Sequence, residues 1–68
     1  MRIDDAVRGA VDGEWRTSRE IWDRHGYGAE TSTSKQLNVL FEIGFLERDT
    51  QPRPNGPFAY VYRTKGAR

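Results

Sequence analysis

The sequence contains no cysteine and only one histidine, His25. Disulfide bonds and zinc sites built from cysteine and histidine are therefore excluded as sources of stability. Because a chain of 68 residues can bury only a small core, we expect one domain, residues 1–68, stabilised by close packing of its apolar side chains. The sequence predicts neither a metal site nor a cofactor.

Long apolar runs are also missing. No apolar stretch approaches the roughly 20 residues that a membrane-spanning helix requires, and no segment has the pattern of a signal peptide. We therefore expect a cytoplasmic protein without membrane contact.

The chain has little net charge, only +1 at neutral pH, but the charge is unevenly distributed. Residues 1–31 contain five basic and seven acidic side chains, a net charge of −2, whereas residues 32–68 contain six basic and three acidic ones, a net charge of +3. A polyanionic partner would therefore be expected to bind the second half of the chain.

Three segments have the pattern of helices. In residues 3–11 apolar side chains recur at spacings of three and four, which is typical of one helical face. Thr17 and Glu20 form a capping-box pattern that opens a second helix over residues 18–25. The hydroxyl-rich run 31–34 offers N-caps for a third helix, residues 31–43, which buries Leu37, Leu40 and Phe41 and ends before Gly44.

Residues 45–49 and 58–63 are predicted to be strands. Residues 14–16 are too few for an independent strand, but they could join the edge of a sheet as a short third strand. Between the two longer strands, residues 50–57 contain three prolines and an Asn-Gly pair, which predicts a protruding hairpin loop. We expect His25 to face solvent or to interact with the end of the second helix. The large aromatic side chains are expected to fill the core: Trp15, Trp22, Phe41, Phe45, Tyr60 and Tyr62.

Three motifs resemble winged helix-turn-helix regulators. The segment Thr17–Ile21 resembles the opening of the second helix in many bacterial and archaeal regulators, and Ser34–Arg48 resembles their recognition helix and its exit into the wing. Six residues in and after the last predicted strand are similar to the closing strand of the PadR, ArsR and MarR types: Tyr60, Tyr62, Arg63, Thr64, Lys65 and Gly66. The resemblance implies an α+β winged helix, with a three-helix core and a small antiparallel sheet formed by a two-stranded wing and a short third strand.

That resemblance implies binding to double-stranded DNA, with helix 31–43 in the major groove and wing 50–57 on the backbone or minor groove. Three hydroxyls at the start of the helix suit phosphate oxygens: Ser32, Thr33 and Ser34. Three long or amide side chains on the helix can reach base edges, lysine toward guanine and the amides toward adenine: Lys35, Gln36 and Asn38. Arg53 at the tip of the wing is expected to contact the minor groove or a phosphate, and three further residues are expected to contact the backbone: Arg48, Arg63 and Asn55.

The residues leave other functions open. Val39 and Ile43, with Glu42 between them, could form an apolar strip on a winged helix that binds another protein as a subunit or adaptor of a larger assembly. A second copy of the chain is a further candidate partner, and RNA is a weaker one. Because no nucleophile, base and acid stand at recognisable spacing, the sequence predicts no catalytic residue, no small-molecule substrate and no enzymatic activity.

Overall fold

The computed structural model describes residues 2–65 and contains three helices and a three-stranded antiparallel sheet. The predicted α+β class and the predicted order of helices and strands are confirmed. Gly66, the last residue of the closing-strand motif, lies outside the described residues. In chain order the elements are α1 (Ile3–Ala10), β1 (Arg16–Thr17), α2 (Ser18–His25), α3 (Glu30–Glu42), β2 (Leu46–Arg53) and β3 (Gly56–Thr64).

The predicted capping box at the start of α2 is present. Thr17 Oγ1 accepts a hydrogen bond of 3.2 Å from the Glu20 backbone N–H, and Glu20 Oε1 accepts one of 2.8 Å from the Thr17 N–H. The helix ends at Gly26, which has a φ of +60°. Because glycine adopts this left-handed conformation without a steric penalty, the chain can leave α2 and turn sharply into α3.

Helix α3 begins one residue before the predicted start. Ala29 is the N-cap residue, and no side chain caps the helix, so the hydroxyls of residues 31–34 lie within its first turns. The end of the helix agrees with the sequence pattern, because Gly44 follows it with a φ of +87°. Leu37 and Leu40 are fully buried, as the predicted apolar side of the helix requires.

The core lies where the three helices meet the start of the sheet. Burial of each Val, Leu or Ile side chain contributes about 1.5–3 kcal/mol to the free energy of unfolding, so the few buried side chains of this core supply much of the stability of so short a chain. None of the helices within residues 2–65 is long and apolar enough to cross a membrane. The buried cluster consists of Val7, Ala10, Val11, Ile21, Leu37, Leu40, Leu46 and Tyr62.

The sheet has the order β1-β3-β2, and its hairpin is longer than predicted. The ladder continues to the pair Arg53↔Gly56, so only residues 54 and 55 form the turn, and the predicted eight-residue loop is wrong. Pro52 is tolerated because β2 is an edge strand, and Pro54 lies in the turn. Pro57 lies in a part of β3 that β1 does not pair with, so its missing N–H is not required on that side. Pro52 also lies within a register shift between Gln51 and Arg53, where the regular ladder is interrupted.

Two of the aromatic side chains that were expected in the core are largely exposed. Trp15 is 40% exposed and Tyr60 is 43% exposed. Each ring instead packs on a guanidinium group, with the Arg63 Cζ atom 4.3 Å from the Trp15 ring centroid and the Arg48 Cζ atom 4.4 Å from that of Tyr60. Cation–π contacts of this kind stabilise aromatic rings that lie at the protein surface.

Candidate functional site

One side of α3 is open to solvent. Its exposed residues define what we term the α3 face: Thr31, Ser32, Lys35, Asn38, Val39 and Glu42. The opposite side of the helix carries Leu37 and Leu40 and is buried in the core. The predicted orientation of the helix is therefore confirmed, and the face that carries Lys35 is not covered by other residues of the described chain.

A cleft of about 820 Å³ separates α3 from the β2–β3 hairpin. Ser34 and Asn38 line it on the helix side, and the start of α2 closes one end with Thr17 and Arg19. The hairpin wall combines basic and aromatic side chains, notably Arg48, Arg53, Phe58 and Tyr60. The molecule therefore presents two ridges, the α3 face and the hairpin, with a polar and aromatic cleft between them.

Arg48 occupies the wall of this cleft between two aromatic rings. Its Cζ atom lies 4.1 Å from the ring centroid of Phe41 and 4.4 Å from that of Tyr60. Its Nη1 atom donates a hydrogen bond of 2.8 Å to Asn38 Oδ1. Burial raises the pKa of the adjacent Tyr62, and the positive charge of Arg48 offsets part of that rise. Two residues predicted separately as DNA contacts, Asn38 and Arg48, are thus directly linked.

The turn of the hairpin projects away from the core. Arg53 and Asn55 are both exposed there, as the predicted contacts of a wing require. Within residues 2–65, Arg53 makes no ion pair, and neither do Lys35 and Arg48. Three positive charges on the two ridges are therefore not neutralised by neighbouring carboxylates.

Basic side chains in the first half of the chain are mostly neutralised. Asp12 accepts hydrogen bonds from Arg16 at 2.8 Å and from Arg24 at 3.1 Å. These bonds, Arg16 first, together with the Glu14 backbone N–H, hold the pKa of Asp12 well below its usual value. The carboxylate thus joins the end of α1 to β1 and α2, which is a structural role.

Thr33 must be removed from the predicted interface. It is fully buried, and its Oγ1 atom lies 2.9 Å from His25 Nε2, so its hydroxyl cannot reach a phosphate. His25 is correspondingly half-buried rather than solvent-facing. Its Nδ1 atom accepts a hydrogen bond from the Tyr27 backbone N–H, so in the neutral ring the proton is on Nε2, which donates to Thr33. This contact joins the end of α2 to α3.

Two further predicted contacts are engaged elsewhere. Gln36 Nε2 donates a hydrogen bond of 2.7 Å to Asp4 Oδ1, which turns its amide toward α1. Arg63 forms a 2.6 Å ion pair with Glu47 and stacks on Trp15. Ser32 and Ser34 remain at the start of α3, the former exposed and the latter half-buried beside the cleft.

The sequence interpretation missed Phe58 and Tyr60 as surface residues of the cleft. Their rings form an edge-to-face pair with centroids 5.2 Å apart, and each residue is 43% exposed. The alternation of aromatic residues along β3 was a usable signal, because it continues toward the hairpin turn beyond the reach of the small core. These rings give the hairpin an apolar surface beside Arg48.

Comparison with known proteins does not assign the site to a family. No protein-family model matches the chain, and neither a curated protein nor a solved structure matches it at a significant level. The geometry and chemistry of the α3 face, the cleft and the hairpin are therefore the basis on which a function is inferred.

Proposed function

We propose that the protein is a winged helix that binds double-stranded DNA and acts as a small transcription regulator. In this proposal the α3 face enters the major groove, and the turn of the hairpin, which is the wing, contacts the backbone or the minor groove. The observation that carries the proposal is the position of the unpaired charges of Lys35 and Arg53 on two exposed ridges. Ridges of this kind can engage adjacent parts of one duplex.

The dimensions and the charges support this arrangement. The major groove of B-form DNA is about 12 Å wide and admits a helix whose outward side chains are polar. Lys35 and Asn38 are exposed on α3 and have donors that suit base edges, while Ser32 at the start of the helix suits a phosphate. Arg53 and Asn55 would contact the sugar-phosphate backbone from the wing.

A second function, protein binding, is favoured by one specific observation. Val39 on the α3 face is 46% exposed, and Ile43, the residue directly after the helix, is 62% exposed, with the acidic Glu42 between them in the sequence. Exposed aliphatic side chains are typical of protein interfaces, and a carboxylate opposes phosphate. If protein binding is the function, these residues contact a partner protein instead of DNA.

The salt dependence of duplex binding distinguishes the two functions. Because Arg53 neutralises a phosphate in this proposal, affinity should fall as the salt concentration rises, and a plot of log affinity against log salt concentration should have a slope of about −0.9 for each phosphate neutralised. The variant R53A should weaken binding to all sequences and reduce the slope by about one. Fluorescence anisotropy with a labelled duplex measures both quantities.

Lys65 provides a matched control for the loss of charge. It is exposed and follows β3 at the end remote from the hairpin turn. The variant K65A loses the same charge and should leave the slope almost unchanged. A slope near zero for the unsubstituted protein, or equal effects of R53A and K65A, would contradict DNA binding through the two ridges and favour protein binding.

A further inference from the structure

The hydrogen bond between Arg48 and Asn38 has a consequence for the sequence that α3 would recognise. A guanidinium group contains only donors, so the side-chain atom of Asn38 that faces it must be the amide oxygen. Arg48 Nη1 contacts Asn38 Oδ1 at 2.8 Å. The orientation of this amide is therefore fixed by chemistry, with the oxygen toward the cleft and the Nδ2 donors directed away from Arg48.

The guanidinium is itself held in place. It lies between the rings of Phe41 and Tyr60, which contact it from α3 and from β3. A planar cation between two rings has little freedom to turn, so its donor stays directed at Asn38. Asn38 is exposed, and its side chain thus presents a pre-oriented pair of N–H donors at the rim of the α3 face.

Donors and acceptors of the base edges then decide which base fits. Guanine has two acceptors in the major groove, N7 and O6, whereas adenine has the acceptor N7 beside a donor, the N6 amino group. An asparagine recognises adenine by using its oxygen and its nitrogen together. An amide oxygen has two lone pairs, but Oδ1 is bound to Arg48 and directed into the cleft. The two-point pairing with adenine is therefore disfavoured, and the adenine amino group would face the Nδ2 donors.

We infer that Arg48 is a positioning residue that makes Asn38 select guanine rather than adenine at one base pair of the target. This inference rests on the proposed DNA binding. It replaces the expectation from residue type alone, that an asparagine on α3 contacts adenine. Arg48 acts through Asn38, so its removal should alter the preference between bases in addition to the overall affinity.

The test uses a library of DNA duplexes with a randomised centre. Comparison of the unsubstituted protein with N38A identifies the base pair that Asn38 recognises, since only that preference is lost. Guanine should be favoured over adenine there by at least about fivefold. In R48M, which keeps an apolar side chain between the two rings but has no donor, the ratio should fall by about fivefold or reverse, because Oδ1 becomes available.

The variant R53M is the matched control. It removes one positive charge at the hairpin turn without a contact to Asn38, so it should weaken binding to all duplexes and leave the guanine-to-adenine ratio unchanged. A second measurement does not depend on the folding of R48M. Replacing the selected guanine by 7-deazaguanine, which lacks the N7 acceptor, should weaken binding of the unsubstituted protein severalfold and leave N38A unaffected.

Different results overturn the two proposals. If the protein binds duplexes with the expected salt dependence but favours adenine at that base pair, keeps its ratio in R48M, or shows no preference that N38A removes, Arg48 does not set the specificity of Asn38. If no duplex is bound in a salt-dependent manner, the proposed function itself fails.

Discussion

The contact between Thr33 and His25 provides a stringent test of how α3 is held. Thr33 is fully buried, and the substitution T33V replaces its hydroxyl with a methyl group of similar size, so no cavity is formed. It leaves the Nε2 proton of His25 without its acceptor at 2.9 Å. An unsatisfied buried donor costs about 1–3 kcal/mol, and since His25 is only half-buried, partial hydration places the expected loss near 1 kcal/mol.

For a domain of this size, a loss of about 1 kcal/mol lowers Tm by about 4–8 °C. Thermal unfolding followed by circular dichroism, with urea unfolding at 25 °C as a second measure, would detect this shift. T31V is the matched control, because Thr31 is exposed on the same helix and its substitution should change stability by less than about 0.5 kcal/mol. If T33V were as stable as T31V, the hydrogen bond would not contribute to holding α3 against α2.

Further predictions concern stability, acid unfolding and DNA binding. G44A should destabilise by about 1–2 kcal/mol in urea unfolding, because alanine disfavours the φ of +87°. L37A should cost about 2–5 kcal/mol by the same measure, since Leu37 is fully buried. The pKa of Asp12 in the folded protein lies below its usual 3.8, so its carboxylate stabilises the folded protein above that pH and loses this effect as the pH falls further. The free energy of unfolding of D12N, measured in urea, should therefore fall less steeply in acid than that of the unsubstituted protein. In duplex-binding assays K35A should cost about 1–3 kcal/mol on the preferred sequence only, whereas R53A should weaken binding to all sequences; equal effects would refute the separation of base reading from backbone contact.

Local signals in the sequence were sufficient for the helices. The apolar spacing in residues 3–11, the Thr17 and Glu20 capping pair, and the glycine after α3 each act over a few residues, so their effect can be deduced without knowing the rest of the fold. The exposed side of α3 followed from the same reasoning, because the burial of Leu37 determines by geometry that Lys35 faces outward.

The hairpin was harder to predict. Its three prolines were interpreted as a loop, yet the strands continue to a two-residue turn. Proline breaks a ladder only where its missing N–H is required, and this depends on which strand lies at the sheet edge. That information belongs to the tertiary structure, so the extent of the hairpin could not be determined from the segment alone.

Pairing between distant residues also escaped the sequence interpretation. The sequence interpretation treated Asn38, Arg48 and Arg63 as independent DNA contacts. In the structure Asn38 and Arg48 bond to each other, and Arg63 is neutralised by Glu47. Such pairs join separate elements of the fold, and only the register of the sheet and its position against α3 determine them.

The central claim is that the α3 face and the hairpin turn form one surface that binds duplex DNA. Backbone amide chemical shifts of the ¹⁵N-labelled protein, recorded during titration with a duplex selected from the randomised library, test this claim most directly. We predict that the amide signals of Ser32, Lys35 and Asn38 shift together with those of Arg53 and Asn55, and that α1 signals do not. Shifts confined to other parts of the chain, or to α3 without the hairpin, would contradict the account.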